Sequence, residues 1–136
     1  MRNDYPYNRY YFGAYRISVY FIYTPSEWSK FFREKGCPPS WHPNGEFVGR
    51  ECYGRCANGE KLIAVLINPA AHRQFGIIEL INTIVHECHH ALEDVYDHIG
   101  AKGQSGEVAA HQLAAMVDWA LHCLPKKYRP RYALGS

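Results

Sequence analysis

Between about Gly76 and Ile99 the chain carries a 3.6-residue hydrophobic period, with Ile77, Ile81, Ile84, Cys88, Ala91 and Val95 on one helical face. A run this long that is apolar along one stripe has to lie on a core, and the residues before it supply one. Ile17 to Tyr23 is β-branched and aromatic and reads as a strand, after which Pro25 and Ser26 open a helix through Lys35 that Gly36 and Pro38 close. Glu46 to Tyr53 and Lys61 to Asn68 are two further strand-like runs. The segment Gly54 to Glu60 between them contains Asn58-Gly59, a pair that favours positive φ, so the two runs read as a hairpin. Gly100 and Gly103 stop the long helix. Ser105 is a fair N-cap for a second helix to about Cys123, before Pro125, with Val108, Leu113, Met116, Val117 and Leu121 apolar.

Composition narrows the class. With 47% apolar and 21% charged residues in 136, the chain is globular, long enough for one domain over residues 1–136. A formal charge of +2 is too slight to make a membrane or nucleic acid the default partner. The longest aliphatic run, Leu62 to Ile67, falls far short of the roughly twenty residues that cross a bilayer. Met1 to Tyr5 is polar, with no apolar signal segment after it. Five cysteines, Cys37, Cys52, Cys56, Cys88 and Cys123, are an odd number in a domain that can do without staples; they read as thiols in a reducing, cytoplasmic setting.

The chemistry is concentrated at residues 86 to 90, His86-Glu87-Cys88-His89-His90. This matches HExxH, in which two imidazoles four residues apart lie one turn along the same face and reach one metal ion. Nitrogen ligands at about 2.0–2.1 Å suit Zn²⁺. Glu87, displaced by about 100° around the helix, lies beside a water on the metal without being a ligand, which is a general base's position. Zinc lowers the pKa of such a water towards ~7, so amide hydrolysis is the natural reaction. Cys88 falls on the apolar stripe and reads as a small buried side chain, and His89 as a helix-surface residue.

A catalytic zinc needs a third protein ligand. The second helix offers Glu107, His111 and Asp118. With the first helix running to Ile99 and the second starting at Ser105, antiparallel pairing sets His86 opposite Asp118; fraying after Asp94 brings Glu107 and His111 level instead. Spacing leaves the three open.

Thr83 to Leu92, followed after a Gly-containing turn by Gly106-Glu107-Val108-Ala109-Ala110-His111-Gln112-Leu113-Ala114-Ala115, resembles zincin-type metallopeptidases of the gluzincin kind over about forty residues. The Glu-x-x-Ala cadence of the second helix is similar to ImmA/IrrE-like proteins and small zincin-like proteins of phages, with a weaker likeness to SprT-like proteases, whose His-Gly pair is absent here. The resemblance implies an α+β fold, a minimal zincin-like core in which a short mixed sheet packs on the active-site helix. It implies His86, His90 and Glu107 as zinc ligands, Glu87 as catalytic base, and a peptide or protein substrate. It also implies an edge strand for an extended peptide, for which Lys61 to Asn68 is the candidate, and a Tyr or His oxyanion donor, for which Tyr96 and His111 are candidates.

Other readings accompany this one. Cys37, His42, Cys52 and Cys56 are of the types that hold a second, structural zinc. The tyrosines crowded before residue 24, interleaved with Arg9 and Arg16, and the basic segment Lys126 to Arg131 suit nucleic-acid stacking, although packing in a sheet explains the tyrosines better. From another class, a non-catalytic protein of this fold would act by occupying a partner, a host factor in the case of a phage protein.

Overall fold

The structure, a computed structural model, describes residues 8–35, 54–59, 62–73, 75–101 and 106–129. Four strands, β1 (Asn8–Phe12), β2 (Ile17–Ile22), β3 (Gly54–Gly59) and β4 (Leu62–Ile67), form one mixed sheet in the order β1-β2-β4-β3. The central pair, β2 with β4, is parallel, with Val19 opposite Ile63; both outer pairings are antiparallel. Helix α1 (Pro25–Lys35) follows β2, and α2 (Ile77–His98) and α3 (Gly106–Cys123) follow β4. The architecture is α+β, and no helix of the described residues is long and apolar enough to cross a membrane.

The two central strands are apolar on both faces because both faces are covered. Val19, Phe21, Ile63, Val65 and Ile67 point to one side, where they meet Ile84, Cys88, Ala91 and Val95 of α2 and Met116 and Ala120 of α3. Tyr20, Ile22, Ala64 and Leu66 point to the other, where Trp28 and Phe31 of α1 close a smaller cluster. Helix α1 begins at a Thr24 N-cap: Thr24 Oγ1 accepts from the Glu27 amide at 3.1 Å and donates to the Glu27 carboxylate at 3.2 Å, with Pro25 opening the first turn. Helix α2 ends in a Schellman motif, in which Gly100 at φ 73° lets the amides of Gly100 and Ala101 reach the carbonyls of Asp97 and Tyr96.

Two expectations need correction. Gly54 to Glu60 is not a turn joining strands: Gly54–Gly59 is itself β3, with Asn58 opposite Ile63 and Gly59 opposite Leu62. The strand expected at Glu46 to Tyr53 lies outside the described residues. The weak β propensity of Gly-Arg-Cys-Ala-Asn-Gly is overridden by the open edge of β4, which requires a hydrogen-bonding partner. Nor is Lys61 to Asn68 an edge, since its core, β4, has neighbours on both sides; among the described residues the outer strands are β1 and β3. A strand buried on both faces is a central strand.

The crowded tyrosines pack as sheet residues. Tyr10 meets Phe12 and Trp119 edge-on, and Phe12 stacks on Tyr15 at 5.8 Å. The Tyr23 hydroxyl donates to the Ala120 carbonyl at 2.7 Å inside the core, tying the end of β2 to α3. Tyr23→Phe removes this bond without emptying space. It should lower unfolding stability by about 1 kcal/mol in a denaturant titration at unchanged m-value.

Candidate metal centre

Helix α2 distributes its residues by angle. Ile84, Cys88, Ala91 and Val95 form the core stripe; Leu92 and Tyr96 turn toward α3; Glu87 and Asp94 turn toward β3; and His86, His89, His90 and Glu93 face solvent. His86 and His90 converge as their spacing requires. Their Nε2 atoms lie 3.2 Å apart, with ring centroids 4.6 Å apart and planes at 81°. Two nitrogens bound at 2.0–2.1 Å to a tetrahedral ion lie about 3.3–3.4 Å apart, so the pair is spaced within a few tenths of an ångström of a chelating geometry. The same distance suits a hydrogen bond between neutral rings. Glu93 lies 3.6 Å from His90 Nδ1 and 3.5 Å from His89 Nε2, an ion-pair distance on the outer side of the helix.

Glu87 is buried where α2 meets the edge strand. At Gly54 a Cβ would come within 2.9 Å of Glu87 Cγ and of Thr83 Cγ2, and 3.1 Å from Glu87 Oε2. Glycine is required here by close approach: strand backbone lies directly on the carboxylate-bearing side chain. One turn before Glu87, Thr83 Oγ1 is 2.7 Å from Nε2 of the buried His72, whose Nδ1 donates to the Asn68 carbonyl at 2.8 Å. Since a carbonyl only accepts, Nδ1 carries a proton, and in the neutral ring Nε2 accepts from the threonine hydroxyl. His72 thus ties the turn after β4 to α2. Nothing in its sequence neighbourhood marked it, because its partners come from tertiary placement.

Further along the flank, Cys56 Sγ donates to Asp94 Oδ2 at 3.5 Å. Burial, reinforced by the carboxylates of Asp94 and Glu87, pushes the Cys56 thiol far above its ordinary range. Burial also raises Asp94, a shift that its bond from Cys56 partly offsets. The Cys88 thiol is pushed up to about 12, by burial first and Glu87 second. Both are protonated thiols at neutral pH, and Cys88 is fully buried, as its place on the apolar stripe implied. Cys37, His42 and Cys52 lie outside the described residues.

The residues of α3 are not brought to the histidine pair. Glu107 is 91% exposed and pairs with His111 at 3.3 Å one turn on, while Asp118 pairs with His122 at 3.4 Å. Among the described residues no group of three or more His, Cys, Asp or Glu side chains is gathered to hold a metal ion. Tyr96 and His111 belong to the α3 side as well. The Tyr96 hydroxyl donates to Gln112 Oε1, Gln112 Nε2 donates to the Tyr15 hydroxyl at 3.2 Å, and His111 lines a pocket with the β1–β2 turn. The Tyr96 phenol is therefore spent on a structural chain of hydrogen bonds. Comparison with protein-family models, with curated proteins and with solved structures returns no match.

Gly54→Ala should force Glu87 and Thr83 aside. The expected cost is about 1–3 kcal/mol, as for other overpacked sites, read as a lower denaturation midpoint. Gly13→Ala is the control: its nearest neighbour would lie at 3.9 Å, so its midpoint should move much less.

Proposed function

We propose that this chain is a zinc-dependent peptidase of a minimal zincin-like kind. The observation that carries the reading is the 3.2 Å convergence of His86 and His90 Nε2, with Glu87 on the adjoining flank beneath an edge strand. Two imidazoles suit zinc, and the separation of their nitrogens is within a few tenths of an ångström of that on a tetrahedral ion. In this reading His86 and His90 hold the metal and Glu107, by the family resemblance, is the third ligand; α3 would have to move to deliver it. When bound, zinc supplies Lewis acidity that makes water a nucleophile near neutral pH.

The chain's own residues supply the rest. Glu87 would take the proton of the attacking water and return it to the leaving amine; since it is buried beneath the Gly54 backbone, away from the open histidine face, that role requires the β3 flank to open. Among the described residues no strand lies on the outer side of β3, and in this reading an extended peptide adds there, replacing β4 as the peptide-binding edge.

A second reading has its own observation. Both histidines are exposed, and no third donor joins them among the described residues. A chain that holds zinc without turning over substrate, and acts by binding a partner, accounts for that openness. Nucleic-acid binding through the tyrosines is the least supported, since Tyr10, Tyr15, Tyr20 and Tyr23 are engaged in packing.

Metal analysis of the purified chain, with peptide-library profiling, separates these. The wild type should carry one zinc and cleave. Glu87→Gln should keep the zinc and lose cleavage by about 10²–10⁴-fold, and His86→Ala should lose the zinc. Zinc bound without cleavage by any preparation favours the binding protein, and zinc content unchanged in His86→Ala overturns the site.

A further inference from the structure

Away from the histidines, the first turn of α2 and the C-terminal turn Lys126–Tyr128 enclose a pocket of about 400 Å³. Among its described lining residues three are cations, Arg73, Lys127 and Arg129, and none is a carboxylate. Among the described residues these three make no ion pair with an Asp or Glu. Like charges gathered at one concave site repel one another, and an anion relieves them.

The cations are held rather than loose. Arg129 Nε donates to the Leu124 carbonyl at 2.8 Å, which orients its guanidinium and keeps the terminal nitrogens for another partner. Lys127 Nζ lies 5.1 Å from the centre of the Tyr128 ring, and Arg73 is close enough to the same phenol to stabilise its anion. Tyr128 thereby gathers Arg73 and Lys127 at one wall, and their proximity lowers its own pKa. The pocket also receives the start of α2, a 22-residue helix whose N-cap, Gly76, has no side-chain cap and whose Cβ position is open to 4 Å. Glu79 lies in that turn but does not line the pocket, so it only partly offsets the positive end.

Size and lining set the ligand. The volume is in the range of pockets that take small organic molecules, well beyond a bare ion. Ile77 and Leu80 give it an apolar side opposite the cations. We propose that this pocket binds a phosphate monoester, its dianion on Arg73, Lys127 and Arg129 and its organic part against Ile77, Leu80 and the Tyr128 ring. The proposal is independent of the zinc reading, since His86 is nine residues beyond the helix start, about 13 Å along the axis.

Calorimetric titration of the full chain with inorganic phosphate, adenosine monophosphate, a hexose phosphate and adenosine tests it. The monoesters should bind saturably and more tightly than inorganic phosphate, with affinity falling as salt rises, and adenosine should not bind. A preference between the two monoesters identifies the organic part as nucleoside or sugar. Arg73→Gln with Lys127→Gln, both at exposed positions, should weaken binding at least tenfold while thermal unfolding stays cooperative. Arg129→Lys tests the third cation while keeping its charge, and should weaken binding by less than the double substitution. His86→Ala should leave binding unchanged. No saturable binding of either monoester at millimolar concentration, or affinity unaltered in the double variant, overturns the proposal.

Discussion

The rest of this structure depends on β4 being enclosed on all sides. Leu62–Ile67 is paired along both edges and covered on both faces, so each neighbour is dictated by one side of it. Its alternate residues demand α1 beneath and α2 above, and its backbone demands β2 along one edge and β3 along the other. Even Gly-Arg-Cys-Ala-Asn-Gly is drawn into a strand by that demand.

From β4 the chain passes through the His72 turn into α2, and the orientation of that helix follows. His72 fixes the entry by bonding both Asn68 and Thr83, and Gly54 fixes the flank by admitting Glu87 and Thr83 directly beneath backbone. With the core stripe and the β3 flank both determined, His86 and His90 have only the outer face left. The helix thereby separates its carboxylate from its imidazoles. Glu87 is packed and Asp94 half-covered, while the two rings meet in the open.

Much of this is legible in the residues, and most of the exceptions share a cause. The period of α2, the stop at Gly100 and the apolar run of β4 are local signals, and each element appears within a residue or two of where those signals place it. The convergence of His86 and His90 is local too, fixed by four residues of helix. What depended on distant partners was missed, the Gly54 contact with Glu87 and the buried bonds of His72, while β3, the local antiparallel partner of β4, was misread because Asn58-Gly59 signals a turn. The choice of a proposed third ligand also turns on a distant partner. Glu107, His111 and Asp118 are spaced along α3 in a way that sequence arithmetic leaves open, and the structure directs that helix's packing at β1 and the core stripe, with Glu107 and His111 turned outward.

The parallel pairing of β2 with β4 has a consequence for how the protein is made. A ribosome delivers β1, β2 and α1 before Leu62–Ile67, and until then the inner rim of β2 lacks the strand that pairs with it in the fold. That rim, apolar and ready to pair, is what a nascent chain has to keep from its neighbours on the polysome. The central seam joins strands far apart in sequence, so it closes slowly and only after a large loop has been gathered in.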